Sequence, residues 1–365
     1  MHDALQGVTV LEVGALTPGK YCGYLMTGWG AKSIRIERET QQGDISNEDL
    51  QLNRGKRSMV LNLRDEVDRK VLLDLARTAD VLIESYRPGV TKRLGIDYDA
   101  IRGLNDRIIY CSLSGFGQDG PDANRAAYDL LFQAETGIFH TSQANNTEYM
   151  TSQTYLADST AGLTAAFAIT AALQARSHTG MGRHIDLSIQ ESLFSLLSVS
   201  HGTVRDGVPV SGRDSVNRSH RPIYNIYQAR DGRSVALTAF SEASGRALFR
   251  YFGDEDLCQY GHDFGQRGAE AKAFLQRCFL EHDAQYWVEI LGALEIEIAL
   301  VQTPEEAFEN KQLQSRNMIL DTKDQAGQKL RQIGFPATSR RAPAIEPAPN
   351  AGAHQPSINE GSDHE

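Results

Sequence analysis

Short apolar runs alternating with amphipathic stretches set the rhythm of the first two hundred residues. Aliphatic and β-branched side chains concentrate in Val8–Val13, Lys32–Glu37, Ser58–Leu63, Ala79–Ser85 and Arg107–Ser114, each of strand length. Helical spacing falls between them, over Tyr21–Trp29 and Val67–Arg77. A long Ala-, Leu- and Ile-rich helix is expected over Asp158–Arg176, stopped by Thr179-Gly180-Met181-Gly182. The strand His184–Ile189 and a helix over Glu191–Ser200 follow. Strands alternating with helices predict an α/β fold, a parallel sheet wound by helices on both faces. In such a sheet, ligands bind at the carboxyl ends of the strands.

Beyond that point the pattern changes. Residues 206–222 are polar and rich in Gly, Ser and Arg, the composition of a linker. The strand Ser234–Phe240, a group of helices, a strand near Ile296–Gln302 and a helix beginning at Pro304–Asn310 make up a second unit. The expected organisation is a large domain over 1–205, a smaller α+β domain over 223–325, and a C-terminal segment, 326–365, returning to the large domain. Its Pro/Ala-rich part, Ala342–Ala351, reads as extended, with disorder at the very end.

Composition narrows the function. A formal net charge of −10 argues against a general nucleic-acid binder. With 41% hydrophobic and 23% charged residues the chain is of ordinary globular type, with no uncharged apolar run of membrane-spanning length. The small-residue run after Ser159 reads as a buried helix. No basic-then-apolar leader opens the chain, and Cys22, Cys111, Cys258 and Cys278 form no CxxC pair, so reduced thiols and a cytoplasmic location are expected. Against the acidic background, Arg35, Arg38, Arg54, Lys56, Arg57, Arg64, Arg87, Lys92 and Arg93 crowd into 60 positions. They are either a solvated surface or a pocket for a small polyanion.

The first strand–helix turn, GALTPGKYCG, lacks the dinucleotide fingerprint, so the sheet is Rossmann-like without that cofactor's signature. No phosphate loop occurs, SLSGFG has the wrong spacing for a nucleophile elbow, and His140, His178 and His184 form no metal-ligand pattern. The informative segment is LADSTAGLTAAFAITAALQAR, where Asp158 opens a helix of small residues. Read as the N-cap, Asp158 would accept the free helix N–H groups and feel the positive end of the dipole, both of which hold a carboxylate ionised. An ionised carboxylate can attack an acyl carbon. Many aspartates in such positions only start helices.

Several segments, in order and spacing, resemble the family III (CaiB/BaiF-like) coenzyme A transferases. They are VLEVGALTPGKYCGYLMTGWGAKSIRIE, NRGKRSMVLNL, ADVLIESYRPGVTKRLGIDYDAI, IYCSLSGFGQDGPDANRAAYDLLFQAETG, LADSTAG with its helix, TGMGRHIDLSIQESLFSLL and a weaker IALVQTPEEAF. The resemblance implies CoA transfer between carboxylic acids, with Asp158 as nucleophile. It implies substrate or CoA contacts at Thr17, at Arg38, at Leu61, Asn62, Leu63 and Arg64, at Ser85, Tyr86 and Arg87, and at Arg93, and it places Tyr128 at the acyl site. Asp158 would pass from an acyl mixed anhydride to an aspartyl-CoA thioester and on through a second anhydride. Coenzyme A and acyl-CoA are then substrates rather than resident cofactors, and no metal is required. A homodimer of interlocked rings is implied as well, with no nucleic-acid or membrane partner.

The likeness has gaps. Thr17 stands where oxalate-linked members carry a site glutamine, which argues against oxalate. No glycine-rich loop is visible between Asp206 and Phe252. The same superfamily includes α-methylacyl-CoA racemases, whose basic histidine is replaced here by Tyr128, a poor base near neutral pH, while Glu242 falls in their glutamate region. Racemase-type α-proton chemistry and a non-catalytic acyl-CoA-binding protein are the alternatives.

Overall fold

The computed structural model describes residues 3–14, 16–39, 46–139, 154–199, 204–205, 208–209, 221–263, 265–336 and 346–355. In chain order the first unit contains β1 (Thr9–Val13), α1 (Thr17–Gly28), β2 (Lys32–Glu37), α2 (Asn47–Leu52), β3 (Arg57–Val60), α3 (Glu66–Ala76) and β4 (Val81–Glu84). It continues with α4 (Val90–Leu94), α5 (Tyr98–Leu104), β5 (Ile109–Ser114), α6 (Asp129–Glu135), α7 (Leu156–Thr179), β6 (Arg183–Ser188) and α8 (Ile189–Ser195). Helix α1 starts at Thr17 rather than at Tyr21, because Pro18 sits in its first turn, where a missing N–H and a fixed φ are no hindrance.

All six strands run parallel in the order β3-β2-β1-β4-β5-β6, so β1 is central and pairs Leu11 with Ile34 on one side and Leu82 on the other. Successive side chains point to opposite faces, and both faces are apolar. Val10, Val81, Ile83, Ile109, Cys111 and Leu113 pack beneath α1 and α7, whereas Leu11, Val13, Ile34, Ile36, Leu82 and Tyr110 pack with Leu72 of α3 and Ile101 of α5. Chain reversal at β1 puts β4 beside it, and at this switch point the backbone closes up. Gly14 has φ +98°, and a Cβ there would lie 2.7 Å from Ser85 Oγ.

One charged pair crosses the apolar face under α1. Lys56 Nζ donates to Glu12 Oε2 at 2.7 Å and to the Lys20 carbonyl at 2.9 Å, and both side chains are buried. Gly23 makes room for it, since a Cβ there would fall 1.9 Å from Glu12 Oε1.

The second unit begins with a short ribbon of β7 (Val204–Arg205) and β8 (Val208–Pro209). Its antiparallel sheet, in the order β11-β10-β9, comprises β9 (Tyr224–Gln228), β10 (Ser234–Thr238) and β11 (Ile298–Leu300). Helices α9 (Glu242–Tyr251), α10 (Gln266–Phe279) and α11 (Ala284–Ala293) cover it around Tyr227, Phe249, Phe279 and Trp287, whose indole N–H is bonded to the Phe279 carbonyl at 2.8 Å. Helix α12 (Pro304–Ala307) opens on a Thr303–Glu306 capping box. Most of the expected linker, at 206–207 and 210–220, lies outside the described residues.

The chain rejoins the first unit at Asn310 rather than at residue 326. Helix α13 (Lys311–Ser315) leads to the hairpin β12 (Ile319–Lys323) and β13 (Lys329–Ile333). This segment is fastened to the first unit by Arg54, which donates to the Gln332 side chain at 3.2 Å and the Ile333 carbonyl at 2.9 Å. Phe335 stacks on Tyr24 at 4.3 Å. Residues 346–355 then run along the outer side of edge strand β3. His354 N donates to the Ser58 carbonyl at 2.9 Å, Ser58 N donates to His354 Nδ1 at 3.2 Å, and Gly352 N reaches Ser58 Oγ at 2.9 Å. The outward N–H and C=O of Ser58 on this edge are thereby occupied. The expected disordered end, from residue 356, lies outside the described residues.

The Glu12–Lys56 pair yields a stability prediction. Glu12→Gln leaves a buried ammonium without its counter-charge and should cost roughly 3–5 kcal/mol in urea denaturation. Gly23→Ala should be destabilising by a comparable amount, because the added methyl displaces the same carboxylate. A Gly23→Ala variant as stable as the parent chain would show that the pair does not constrain α1.

Candidate active site

Helix α7 owes its place to its small residues. Ala157, Ala161, Ala165, Ala166, Ile169 and Ala172 form a buried stripe, and Gly162 faces α1 so closely that a Cβ would stand 2.9 Å from both the Pro18 carbonyl and the Tyr21 ring. By length and hydropathy this helix could cross a membrane, but its buried stripe belongs to the apolar core that packs against the sheet. Its last turn is tied to the amino ends of the strands. Arg176 bonds the Asp80 carboxylate at 2.7 Å, just before β4, and the Arg107 carbonyl at 3.0 Å, just before β5. The first turn, with Asp158, therefore lies at the carboxyl edge.

Asp158 is not the N-cap. Tyr155 holds that position without a side-chain bond, and Asp158 stands on the first helical turn. The cap comes from another helix. Asp129, at the start of α6 and buried, accepts N–H bonds from Ala157 at 2.7 Å and Asp158 at 3.2 Å through Oδ1, while Gln133 Nε2 donates to its Oδ2. The expectation that free N–H groups hold Asp158 ionised is thus overturned, because Asp129 has taken them. Burial, then the negative charge of Asp129, then that of Glu48 push the Asp158 carboxyl up to about 7. Glu48 is itself anchored by Lys20 at 2.9 Å and accepts a bond from the Thr17 hydroxyl at 3.3 Å.

On the other face of the same carboxyl edge lies a cleft of about 160 Å³, lined by Ile36, Glu37, Arg38, Leu61, Asn62, Leu63, Arg64, Tyr86 and Leu94. The loops after β2, β3 and β4 form it. The Asn62 N–H on Asp68 at 2.7 Å and the Asp65 cap on α3 shape the second loop. The third is fixed by the Tyr86 N–H on Glu84 at 2.9 Å. Glu84 is raised by its burial, with that N–H acting the other way. The Arg38 guanidinium lies 5.9 Å from the centre of the Tyr86 ring.

Six residues singled out from the sequence meet there: Arg38, Leu61, Asn62, Leu63, Arg64 and Tyr86. The others do not line the cleft. Ser85 is buried at the β1–β4 switch point, where its Oγ accepts the Leu16 N–H at 3.4 Å. Arg87 and Arg93 are exposed beyond β4. Thr17 shares Glu48 with Asp158, and Tyr128 caps α6 beside Asp129 with 79% of its surface exposed, so it is not a core tyrosine. The crowded basic residues also divide. Arg54 and Lys56 are buried in internal bonds and Arg35 is paired with Glu37 and Asp49, whereas Arg38 and Arg64 present their side chains at the cleft.

Sequence reasoning missed Asp129, Glu48 and Lys20. Asp129 directly follows Tyr128, yet nothing in YDLL marks it as the cap of a helix that starts at Leu156. Lys20 lies in the GALTPGKYCG turn, where nothing in the local pattern marks it as a partner of α2. Among the described residues no group of three His, Cys, Asp or Glu side chains is placed to hold a metal.

Known proteins resemble this chain over most of its length. The acetyl-CoA:oxalate CoA-transferase of Acetobacter aceti is 30% identical over 330 residues, covering 86% of this chain and 85% of the relative. Human alpha-methylacyl-CoA racemase is 29% identical over 327 residues, covering 88% and 84%. The crystal structure of a CaiB/BaiF family protein from Brucella suis superimposes with a TM-score of 0.78 at 23% identity, over 96% of this chain and 97% of the other, and shares the fold. The model of CoA-transferase family III matches residues 5–355, and the chain belongs to that family.

Proposed function

We propose that this protein transfers CoA from an acyl-CoA donor to a carboxylic acid acceptor, with Asp158 as the covalent nucleophile. The observation that carries the reading is the shared carboxyl edge. A partly buried carboxylate on a turn of small residues lies on one face, and a cleft with two free arginines and a tyrosine lies on the other. An extended ligand suits this arrangement, with its phosphates at Arg38 and Arg64, its adenine on Tyr86 and its thioester reaching Asp158. Binding of the remote nucleotide then holds the reacting atoms together.

Asp158 attacks the donor thioester carbon, forming a mixed anhydride and expelling CoA thiolate, a leaving group of low basicity. The thiolate attacks the aspartyl carbonyl, giving an aspartyl-CoA thioester and freeing the donor acid. The acceptor carboxylate attacks that thioester, and the released thiolate takes the acceptor acyl group, regenerating Asp158. The exposed apolar residues Leu163 and Phe167 of α7 and Phe194 of α8 support a homodimer as part of the reading. A cytoplasmic location is proposed with it.

A carboxyl that titrates near 7 is also suited to moving protons, which favours racemase-type α-proton chemistry as a second reading. It lacks a partner base, because the histidine position is Tyr128.

Incubation with a panel of acyl-CoAs followed by hydroxylamine should give an acyl-CoA-dependent mass change on the Asp158 peptide, absent from Asp158→Asn. No adduct with any donor, together with α-proton exchange into deuterated water, would overturn the transferase reading in favour of the racemase.

Arg38→Ala and Arg64→Ala should each raise the KM for acyl-CoA by about 5- to 20-fold with kcat little changed, as expected for loss of a charge-assisted phosphate contact. An unchanged KM in both would remove the cleft from the binding site.

The raised carboxyl also has a stability signature. Between the unfolded value of 3.8 and about 7 the folded chain holds a proton that the unfolded chain has lost. Stability is therefore lost as pH rises through that window. Asp158→Asn, which stays neutral, should melt higher than the parent chain at pH 8 and no higher near pH 4. Equal melting temperatures at both would contradict the raised value.

A further inference from the structure

We infer that Asp129 is a positioning residue for Asp158: from α6 it fastens the first turn of α7 and holds a negative charge beside the nucleophile. The inference deepens the transferase reading, and rests on it for the role of Asp158.

The geometry separates two functions that one residue usually combines. Where a carboxylate caps a helix start, the free N–H groups it accepts stabilise it as an anion. Here the capping carboxylate and the candidate nucleophile are different residues on different helices. Asp129 Oδ1 receives the N–H groups of Ala157 and of Asp158 itself, and Oδ2 receives Gln133. Asp129 is thereby bound by three donors while remaining buried. Asp158 receives no share of those N–H groups and faces a negative charge bonded to its own backbone.

Other charged groups act on the same turn. From α2, Glu48 adds a second negative charge, and Asp49 stands beside it. From α1, Lys20 bridges Glu48 and Asp49 at 2.9 and 3.0 Å, so the cation is committed to them. The balance disfavours a proton-free Asp158, as burial already does. Active sites commonly arrange like charges so that a group titrates near its working pH.

Two variants separate the cap from the charge. Asp129→Asn keeps an oxygen for the two N–H groups, and Gln133 can turn its amide to meet the new NH2, so only the charge is lost. Asp129→Ala loses charge and cap together. The first measurement is the pH dependence of carbodiimide labelling of Asp158, which requires the protonated carboxyl, read by peptide mass spectrometry. It needs no turnover and stands whether or not the protein is a transferase. Either variant that folds should lower the labelling midpoint by about half a pH unit or more. The second measurement is kcat/KM against pH with whichever acyl-CoA donor labels Asp158. Its acid limb should move the same way in Asp129→Asn, with activity kept within about tenfold, whereas Asp129→Ala should lose activity and melting temperature together. A labelling midpoint unmoved in both variants would overturn the inference while leaving the nucleophile reading intact. Absence of the acyl adduct in the parent chain, with the midpoint still shifting, would sink the nucleophile reading alone.

Discussion

How closely α7 can lie against α1 decides what the carboxyl edge looks like. The contact leaves no room for a methyl group at Gly162, and the rest of the buried stripe on α7 is almost all alanine. Interiors packed to this density do not accommodate added atoms without moving backbone. Because Arg176 ties the far end of α7 to the amino ends of β4 and β5, the close contact leaves the first turn little freedom. The carboxyl group of Asp158 is carried there by backbone rather than by a long, mobile side chain. Rigid support of that kind is what an attack on an acyl carbon requires.

Charges in this part of the chain fall into two groups with different physics. Lys56 with Glu12, and Arg54 with the β13 carbonyl and Tyr24, are buried, and their bonds hold the scaffold together. Their desolvation is tolerable only because each has a partner. Arg38 and Arg64 keep their guanidinium groups at a cleft wall, where they can meet a phosphate without first giving up a buried partner. The acidic side chains divide in the same way. Asp129 is fully engaged, whereas Asp158 is half-buried and left without its cap bonds. A chain with formal charge −10 thus presents a small positive cleft and a proton-retaining carboxyl on one edge.

Much of the large unit was legible because parallel strands buried on both faces write themselves as apolar runs. Strand β2 was read to the residue, and the loops after β2, β3 and β4 delivered six of the named residues to one cleft. Helix starts were less legible. Thr17-Pro18 was not read as helical, and α7 begins two residues before Asp158. The return of the chain at Asn310 was misplaced for a physical reason. The β12–β13 hairpin carries no pattern of its own, and it joins the first unit through bonds and stacking from Tyr24, Gln51 and Arg54 to Gln332, Ile333 and Phe335, residues about three hundred positions further along the chain.

The sequence by itself determined the wound parallel sheet, the family, the small-residue helix behind Asp158 and the basic loops after the early strands, because each depends on neighbours within a few residues. Tertiary structure decided the raised proton affinity of Asp158, the scaffolding role of Arg35, Arg54 and Lys56 within the basic cluster and the exposure of Tyr128. Those properties come from groups far apart along the chain: Asp129 acting on a helix that begins twenty-seven residues later, Glu48 reaching it from α2, and Glu12 neutralising Lys56 across the sheet. Proton affinity and burial follow distance in space, and a linear pattern does not record that distance.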